Sequence, residues 1–217
     1  MNALRQIPNL LTVLRLVLSV AMFAALLAIG SGRWPAAELA LARVSLVSFV
    51  VAAVTDFFDG WLARRWQVVS LLGAILDPIA DKILVCGAVL GLTSVAALAL
   101  GRGLLTAILA PAAVILFREF AVSALREVLA PRGVKLPVTF LAKTKTTLQL
   151  VALGALLIVI LWPAWGIAAG VGQLQAALAL SEALFALAAA VTLWTGLEYG
   201  RSAWLALSGA KGGQGSA

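Results

Sequence analysis

The chain has 217 residues, of which 63% are hydrophobic and 12% are charged, with a net charge of +7. Soluble domains carry about 25% charged residues, so this composition excludes a disordered chain and disfavours a soluble enzyme. The sequence has no histidine and one cysteine, which excludes imidazole catalysis, histidine metal sites and an intrachain disulfide. The basic residues are spread between apolar runs, which argues against nucleic-acid binding.

Six apolar stretches have about the length that a bilayer-spanning helix needs. They cover residues 10–30, 37–58, 69–100, 103–129, 140–162 and 175–200. Because Ala and Leu dominate these stretches, helices are favoured over strands. The sequence therefore predicts an all-α integral membrane protein with six transmembrane helices. We expect one membrane domain, residues 1–208, and a disordered Gly/Ser-rich tail, residues 209–217.

Lysine and arginine residues set the expected orientation, because they are enriched in cytoplasmic connections. If the N-terminus is inside, the outer connections hold only Arg33 and Arg102. The inner segments then hold Arg5, Arg64, Arg65, Arg126, Arg132, Lys135, Lys143, Lys145, Arg201 and Lys211. This asymmetry predicts that both termini are cytoplasmic.

The first span carries polar residues at helical spacing. Asn9, Thr12 and Arg15 follow one another at intervals of three, so one helix face can hold all of them. Two interpretations of Arg15 stay open. Its side chain could extend along the helix to the membrane surface, or it could point inward to a partner.

All four aspartates of the chain lie at the end of the second span and the start of the third. Asp56 and Asp59 share one helix face, and Asp77 and Asp81 share a face of the next helix. Both pairs are at the predicted cytoplasmic side. Two antiparallel helices can therefore direct four carboxylates to one place, where the small residues at 60, 63 and 73 leave room for a ligand.

Four neighbouring carboxylates repel one another unless a cation lies between them. Mg²⁺ and Mn²⁺ prefer oxygen ligands and commonly bridge carboxylates to substrate phosphates, so this block predicts one or two divalent ions. Two other interpretations stay open. The aspartates could form only salt bridges with Arg64, Arg65 and Lys82, or they could line a cation or proton pathway.

Further cations lie at the inner ends of the fourth and fifth spans. Arg118 and Arg126 close the fourth span beside Glu119, and Lys143 and Lys145 open the fifth. Cations near a metal site suit a second anionic group such as a substrate phosphate. The alternative interpretation is that they only follow the general excess of basic residues on the cytoplasmic side.

The acidic block resembles a known family signature in residue types and spacing. It reads Asp56-x2-Asp59-Gly60-x2-Ala63-Arg64-x8-Gly73-x3-Asp77-x3-Asp81. This pattern matches, without a gap, the signature of the CDP-alcohol phosphatidyltransferases. The resemblance implies six membrane helices, a cytoplasm-facing site, Mg²⁺ or Mn²⁺ and a homodimer in a bacterial inner membrane.

Three segments are similar to family members that use glycerol 3-phosphate as the acceptor: residues 7–15, 118–126 and 143–149. The implied reaction joins the phosphatidyl group of CDP-diacylglycerol, a membrane lipid, to glycerol 3-phosphate and releases CMP. Inositol phosphate or serine stays open as the acceptor. An intramembrane prenyltransferase and an ion-coupled transporter are more distant alternatives, although no internal repeat supports a transporter.

The resemblance also implies roles for individual residues. Asp56, Asp59, Asp77 and Asp81 are expected to bind the metal, and Asp81 is the expected catalytic base. The residues expected at CDP-diacylglycerol are Gly60, Ala63, Arg64, Gly73, Asn9, Thr12 and Arg15. Those expected at the phosphate of glycerol 3-phosphate are Arg118, Lys143, Lys145 and Arg126.

Overall fold

The computed structural model describes residues 2–66, 71–99, 101–132, 140–166 and 168–212. These residues form six long α-helices and no strand, which confirms the prediction of an all-α protein. The helices are α1 (Asn2–Gly30), α2 (Glu38–Trp66), α3 (Leu71–Ala99), α4 (Gly101–Leu129), α5 (Phe140–Ile160) and α6 (Val171–Gly212). Short 3₁₀ turns lie at Pro35–Ala37, Ala130–Arg132 and Trp162–Trp165.

Within the described residues, five segments are long and apolar enough to cross a membrane. They are Asn9–Gly30, Pro35–Asp56, Ile75–Ala97, Leu105–Leu129 and Val171–Ser208. The apolar part of α5, Thr144–Ile160, is shorter than the other five. Each predicted span therefore coincides with a helix, and the number of six crossings stays a prediction.

Helix α6 is longer than the predicted span of residues 175–200. It has 42 residues, so at 1.5 Å per residue it is about 63 Å long, roughly twice the hydrocarbon thickness of a bilayer. Part of α6 therefore extends beyond the membrane. Its backbone remains helical to Gly212, which is inside the predicted tail, although its apolar segment ends at Ser208. Residues 213–217 lie outside the described part of the chain.

The helices pack as two groups joined through α3. Helix α1 lies against α2 and α3, whereas α6 lies against α4 and α5, and α3 also contacts both α4 and α5. The core between them contains fully buried apolar side chains from both groups: Leu26, Leu92, Ile115, Leu156 and Phe185. This arrangement brings the predicted acidic helices α2 and α3 against α1, and the predicted cationic helices α4 and α5 against α6.

Two glycines of α3 allow α1 to approach closely. A Cβ atom built at Gly91 would lie 2.5 Å from Cδ1 of Leu26, and one at Gly87 would lie 3.3 Å from Cε of Met22. Small residues at a helix contact let two backbones come together where a larger side chain would hold them apart. The polar face of α1 is thereby held against the aspartates of α3.

Candidate active site

The polar face of α1 is turned into the protein. Thr12 and Arg15 are each 1% exposed, and the Ser19 hydroxyl donates a hydrogen bond of 2.7 Å to the carbonyl oxygen of Arg15. Of the two readings of Arg15, the structure therefore supports the inward one. A buried guanidinium is stable only when it is paired with acceptors or opposite charges.

Three of the predicted aspartates meet this face of α1. Nη1 of Arg15 lies 2.7 Å from Oδ1 of Asp56 on α2 and 2.5 Å from Oδ1 of Asp81 on α3. The Thr12 hydroxyl donates a hydrogen bond of 2.6 Å to Oδ1 of Asp77. We call Asp56, Asp77 and Asp81, with Thr12 and Arg15, the aspartate cluster. Sequence spacing predicted that these carboxylates converge, and the structure adds that α1 orients them.

The aspartate cluster is more accessible at its carboxylates than at its cation. The side chains of Asp56 and Asp81 are 32% and 48% exposed, whereas that of Arg15 is 1% exposed. One guanidinium does not neutralise three carboxylates, and oxygen donors of this kind suit Mg²⁺ or Mn²⁺. The carboxylate oxygens are therefore donors of the type that a divalent ion prefers. In this arrangement of the described residues, no group of three or more acidic or cysteine side chains is close enough together to bind one metal ion.

The structure describes the other predicted site residues less completely. Gly73 is buried one helical turn before Asp77, and Asn9 is partly buried one turn before Thr12, so both lie beside the aspartate cluster. The side-chain surroundings of Asp59, Gly60, Ala63, Arg64 and Lys143 lie outside the described part of the structure.

A second polar cluster joins α4 to α5. Nη1 of Arg118 lies 3.5 Å from Oε1 of Glu119, and Nζ of Lys145 pairs with the same carboxylate oxygen. Arg118 and Lys145 are both buried. A general excess of cations on one side of the membrane does not require burial, so these two side chains are better explained as parts of a site. We call Arg118, Glu119 and Lys145 the cation cluster.

Helix α6 supplies partners that sequence reasoning missed. Nη2 of Arg118 donates to the hydroxyl of Thr195 at 3.2 Å, and Nη2 of Arg126 donates to the hydroxyl of Tyr199 at 3.0 Å. The guanidinium carbons of Arg118 and Arg126 lie 5.5 and 5.2 Å from the centre of the Tyr199 ring, within cation–π range. Thr192 accepts a hydrogen bond of 2.7 Å from Gln149.

A sequence signal for this face of α6 did exist. Thr192, Thr195 and Tyr199 are spaced at i, i+3 and i+7 within an apolar run, so they share one face of the helix. Tyr199 is also the single tyrosine of the chain. Nothing in the spacing shows which helix this face contacts, and that contact gives the residues their role.

A cavity of about 80 Å³ lies between the two clusters. Its lining comes from α3, α4 and α5: Asp81, Lys82, Val85, Cys86, Glu119, Thr146 and Gln149. Asp81 belongs to the aspartate cluster and Glu119 to the cation cluster. The cavity therefore connects a site suited to a metal and a diphosphate with a site suited to a second anion.

The family model described as CDP-alcohol phosphatidyltransferase matches residues 5–195. The chain belongs to this family. The match contains the aspartate cluster, the cation cluster and the part of α6 up to Thr195. The resemblance carried by the acidic block is thus confirmed at the level of the family.

Several bacterial relatives of this chain are named CDP-diacylglycerol–glycerol-3-phosphate 3-phosphatidyltransferase. The relative from Salmonella typhimurium is 37% identical over 89% of this chain and 92% of its own length. The relative from Escherichia coli is 41% identical over 70% of this chain and 73% of its own length. The relative from Cereibacter sphaeroides is 44% identical over 69% of this chain, and that match spans 62% of the relative.

Proposed function

We propose that this chain transfers the phosphatidyl group of CDP-diacylglycerol to sn-glycerol 3-phosphate, giving phosphatidylglycerophosphate and CMP. The observation that carries the proposal is the cavity that Asp81 and Glu119 both line, between the aspartate cluster and the cation cluster. A donor diphosphate and an acceptor phosphate need two such sites in contact. The shared name of the bacterial relatives supports the choice of donor and acceptor.

The donor diphosphate is assigned to the aspartate cluster. Asp56, Asp77 and Asp81, together with the predicted ligand Asp59, would hold one or two Mg²⁺ or Mn²⁺ ions. When bound, the metal neutralises the diphosphate and stabilises the charge that develops on departing CMP. Thr12 and Arg15 fix the carboxylates from the α1 side through their hydrogen bonds. The cytidine is assigned to the neighbouring segment of residues 60–64, with Asn9 and Gly73 beside it.

Asp81 is proposed as the general base because it belongs to the aspartate cluster and also lines the cavity. The terminal hydroxyl oxygen of glycerol 3-phosphate attacks the phosphorus that carries the diacylglycerol group. The bond from this phosphorus to the phosphate oxygen of CMP breaks, and the proton of the hydroxyl passes to the Asp81 carboxylate. No covalent enzyme intermediate is needed.

The acceptor phosphate is assigned to the cation cluster, with Arg126 and the predicted ligand Lys143. Arg118 and Lys145 share one carboxylate, so the cluster keeps excess positive charge that a phosphate can neutralise. Arginine and lysine bind phosphate through charge-assisted hydrogen bonds. The contacts of Arg118 with Thr195 and of Arg126 with Tyr199 hold both guanidinium groups on the α6 side.

The proposal includes the location and assembly that the sequence predicts. The helices are placed in a bacterial inner membrane with the two clusters on the cytoplasmic side, in agreement with the distribution of lysine and arginine. The acyl chains of the donor then stay in hydrocarbon while its nucleotide reaches water. The homodimer rests on the family resemblance, and crosslinking in membranes would measure it.

An acceptor panel with labelled CDP-diacylglycerol and purified protein tests this function. CMP should be released with glycerol 3-phosphate and not with serine or inositol phosphate, and EDTA should abolish the release. Faster release with another alcohol would assign a different acceptor. No release with any acceptor would contradict the transferase reaction and would favour a transporter.

A further inference from the structure

The amide of Gln149 is fixed in one orientation by α6. Gln149 is 1% exposed, and its Nε2 donates to the Thr192 hydroxyl at 2.7 Å. The Thr192 hydroxyl in turn donates to the carbonyl oxygen of Ala188 at 2.6 Å. Because the single hydroxyl proton is used toward Ala188, Thr192 can only accept from Gln149. The amide nitrogen therefore faces α6, and Oε1 points away from it.

This orientation leaves an acceptor oxygen for a ligand. Gln149 lines the cavity between the two clusters, and none of the described residues donates a hydrogen bond to its Oε1. Oε1 is not one of the buried, unpartnered polar atoms of the described residues, so it is accessible from the cavity that Gln149 lines. A hydroxyl group of a substrate in the cavity would satisfy it.

The size of the cavity indicates what kind of ligand fits. A cavity needs about 10–15 Å³ of accessible volume to hold one group of the size of a water molecule. A cavity of about 80 Å³ therefore accommodates roughly six non-hydrogen groups. This is the size of a three-carbon triol and about half that of a six-membered polyol ring.

We propose that Gln149, held by Thr192, accepts a hydrogen bond from the central hydroxyl of glycerol 3-phosphate and so selects acceptors that carry this hydroxyl. This inference rests on the proposed function. In this arrangement the terminal hydroxyl meets Asp81, the central hydroxyl meets Oε1 of Gln149, and the phosphate meets the cation cluster. Thr192 is a positioning residue, because it acts through the amide of Gln149 and does not contact the substrate.

The test compares glycerol 3-phosphate with 3-hydroxypropyl phosphate, which lacks only the central hydroxyl. A site built to bind a substrate hydroxyl discriminates against an analogue that lacks it. For the wild-type protein in mixed micelles, kcat/KM should be at least about tenfold higher for glycerol 3-phosphate. In Gln149→Leu this ratio should fall toward one, since the variant loses more activity with glycerol 3-phosphate than with the analogue.

A matched control and a second pair of variants separate this role from a general loss of structure. The control is Gln173→Leu, which removes a glutamine side chain near the start of α6. The Oε1 of Gln173 accepts a hydrogen bond from the backbone N–H of Gly170, and this variant should keep the wild-type ratio. Thr192→Val, which cannot accept from Nε2, should lower the ratio, and Thr192→Ser should restore it. If Gln149→Leu does not fold, the Thr192 pair decides.

A ratio that is unchanged in Gln149→Leu, or in Thr192→Val, would overturn the inference. This outcome differs from failure of the proposed function, in which the wild-type protein would release no CMP with glycerol 3-phosphate.

Discussion

Arg15 joins the acidic ends of two helices through one nitrogen atom. Its Nη1 contacts Asp56 on α2 and Asp81 on α3, and the side chain is almost completely buried. Removing either partner of such a buried ion pair leaves an uncompensated charge, so Arg15 and the two aspartates fix one another's positions. The sequence predicted a polar face on α1 and placed it beside the nucleotide, and it did not predict that Arg15 orients the carboxylates themselves.

Arg15→Leu should reduce kcat/KM for CDP-diacylglycerol by on the order of 100-fold, because misplacing reacting groups by about 1 Å has effects of this size. Arg15→Lys should recover part of the activity, since it keeps the charge and loses the planar group. The measurement is CMP release with saturating glycerol 3-phosphate. Arg33→Leu, an exposed arginine in the connection between α1 and α2, is the control. Wild-type activity in Arg15→Leu would show that the carboxylates do not depend on it.

Arg118→Ala should raise the KM for glycerol 3-phosphate about 10–100-fold, the equivalent of one charge-assisted hydrogen bond. The KM for CDP-diacylglycerol should change much less, because Arg118 lies in the cation cluster and not beside Asp56 or Asp77. Steady-state kinetics with each substrate varied in turn gives both constants. An unchanged acceptor KM would remove Arg118 from the phosphate site.

At the scale of helices, the elements themselves were predictable and their pairing was not. Apolar length located all six helices, and spacing placed Asp56 with Asp59 at i+3 and Asp77 with Asp81 at i+4. In the structure, Asp56 and Asp81 contact Arg15, and Asp77 contacts Thr12. Spacing along one helix does not show which neighbour its polar face contacts. For this reason the role of α6 beside Arg118 and Arg126 emerged only from the structure.

The close contact of α1 and α3 at Gly91 gives a prediction for stability. Gly91→Leu should destabilise the protein by about 1–3 kcal/mol, because the new side chain meets Leu26 in a filled interface. Thermal unfolding in detergent should show a lower midpoint. Gly200→Leu is the matched control: a Cβ atom at Gly200 in α6 has no neighbour within 4 Å, and leucine favours a helix over glycine. A lower midpoint in the control and not in Gly91→Leu would contradict this view of the packing.

In the molecule as a whole, each of the two helix groups carries one of the two clusters that the proposed reaction uses. Helices α1, α2 and α3 form the aspartate cluster, and α4, α5 and α6 form and support the cation cluster. The cavity lies where α3 meets α4 and α5. This division agrees with an acidic signature that is compact in sequence and with proposed acceptor residues that are spread over the later half of the chain.

The carboxylates that α1 holds are proposed to bind a divalent ion, and the binding of that ion can be measured directly. Mn²⁺ binding to the purified protein, followed by electron paramagnetic resonance, should show one or two bound ions. Asp77→Asn and Asp56→Asn should each weaken this binding and abolish CMP release. Glu38→Gln, which removes an exposed carboxylate at the start of α2, should leave both unchanged. Wild-type Mn²⁺ binding in both aspartate variants would contradict the account.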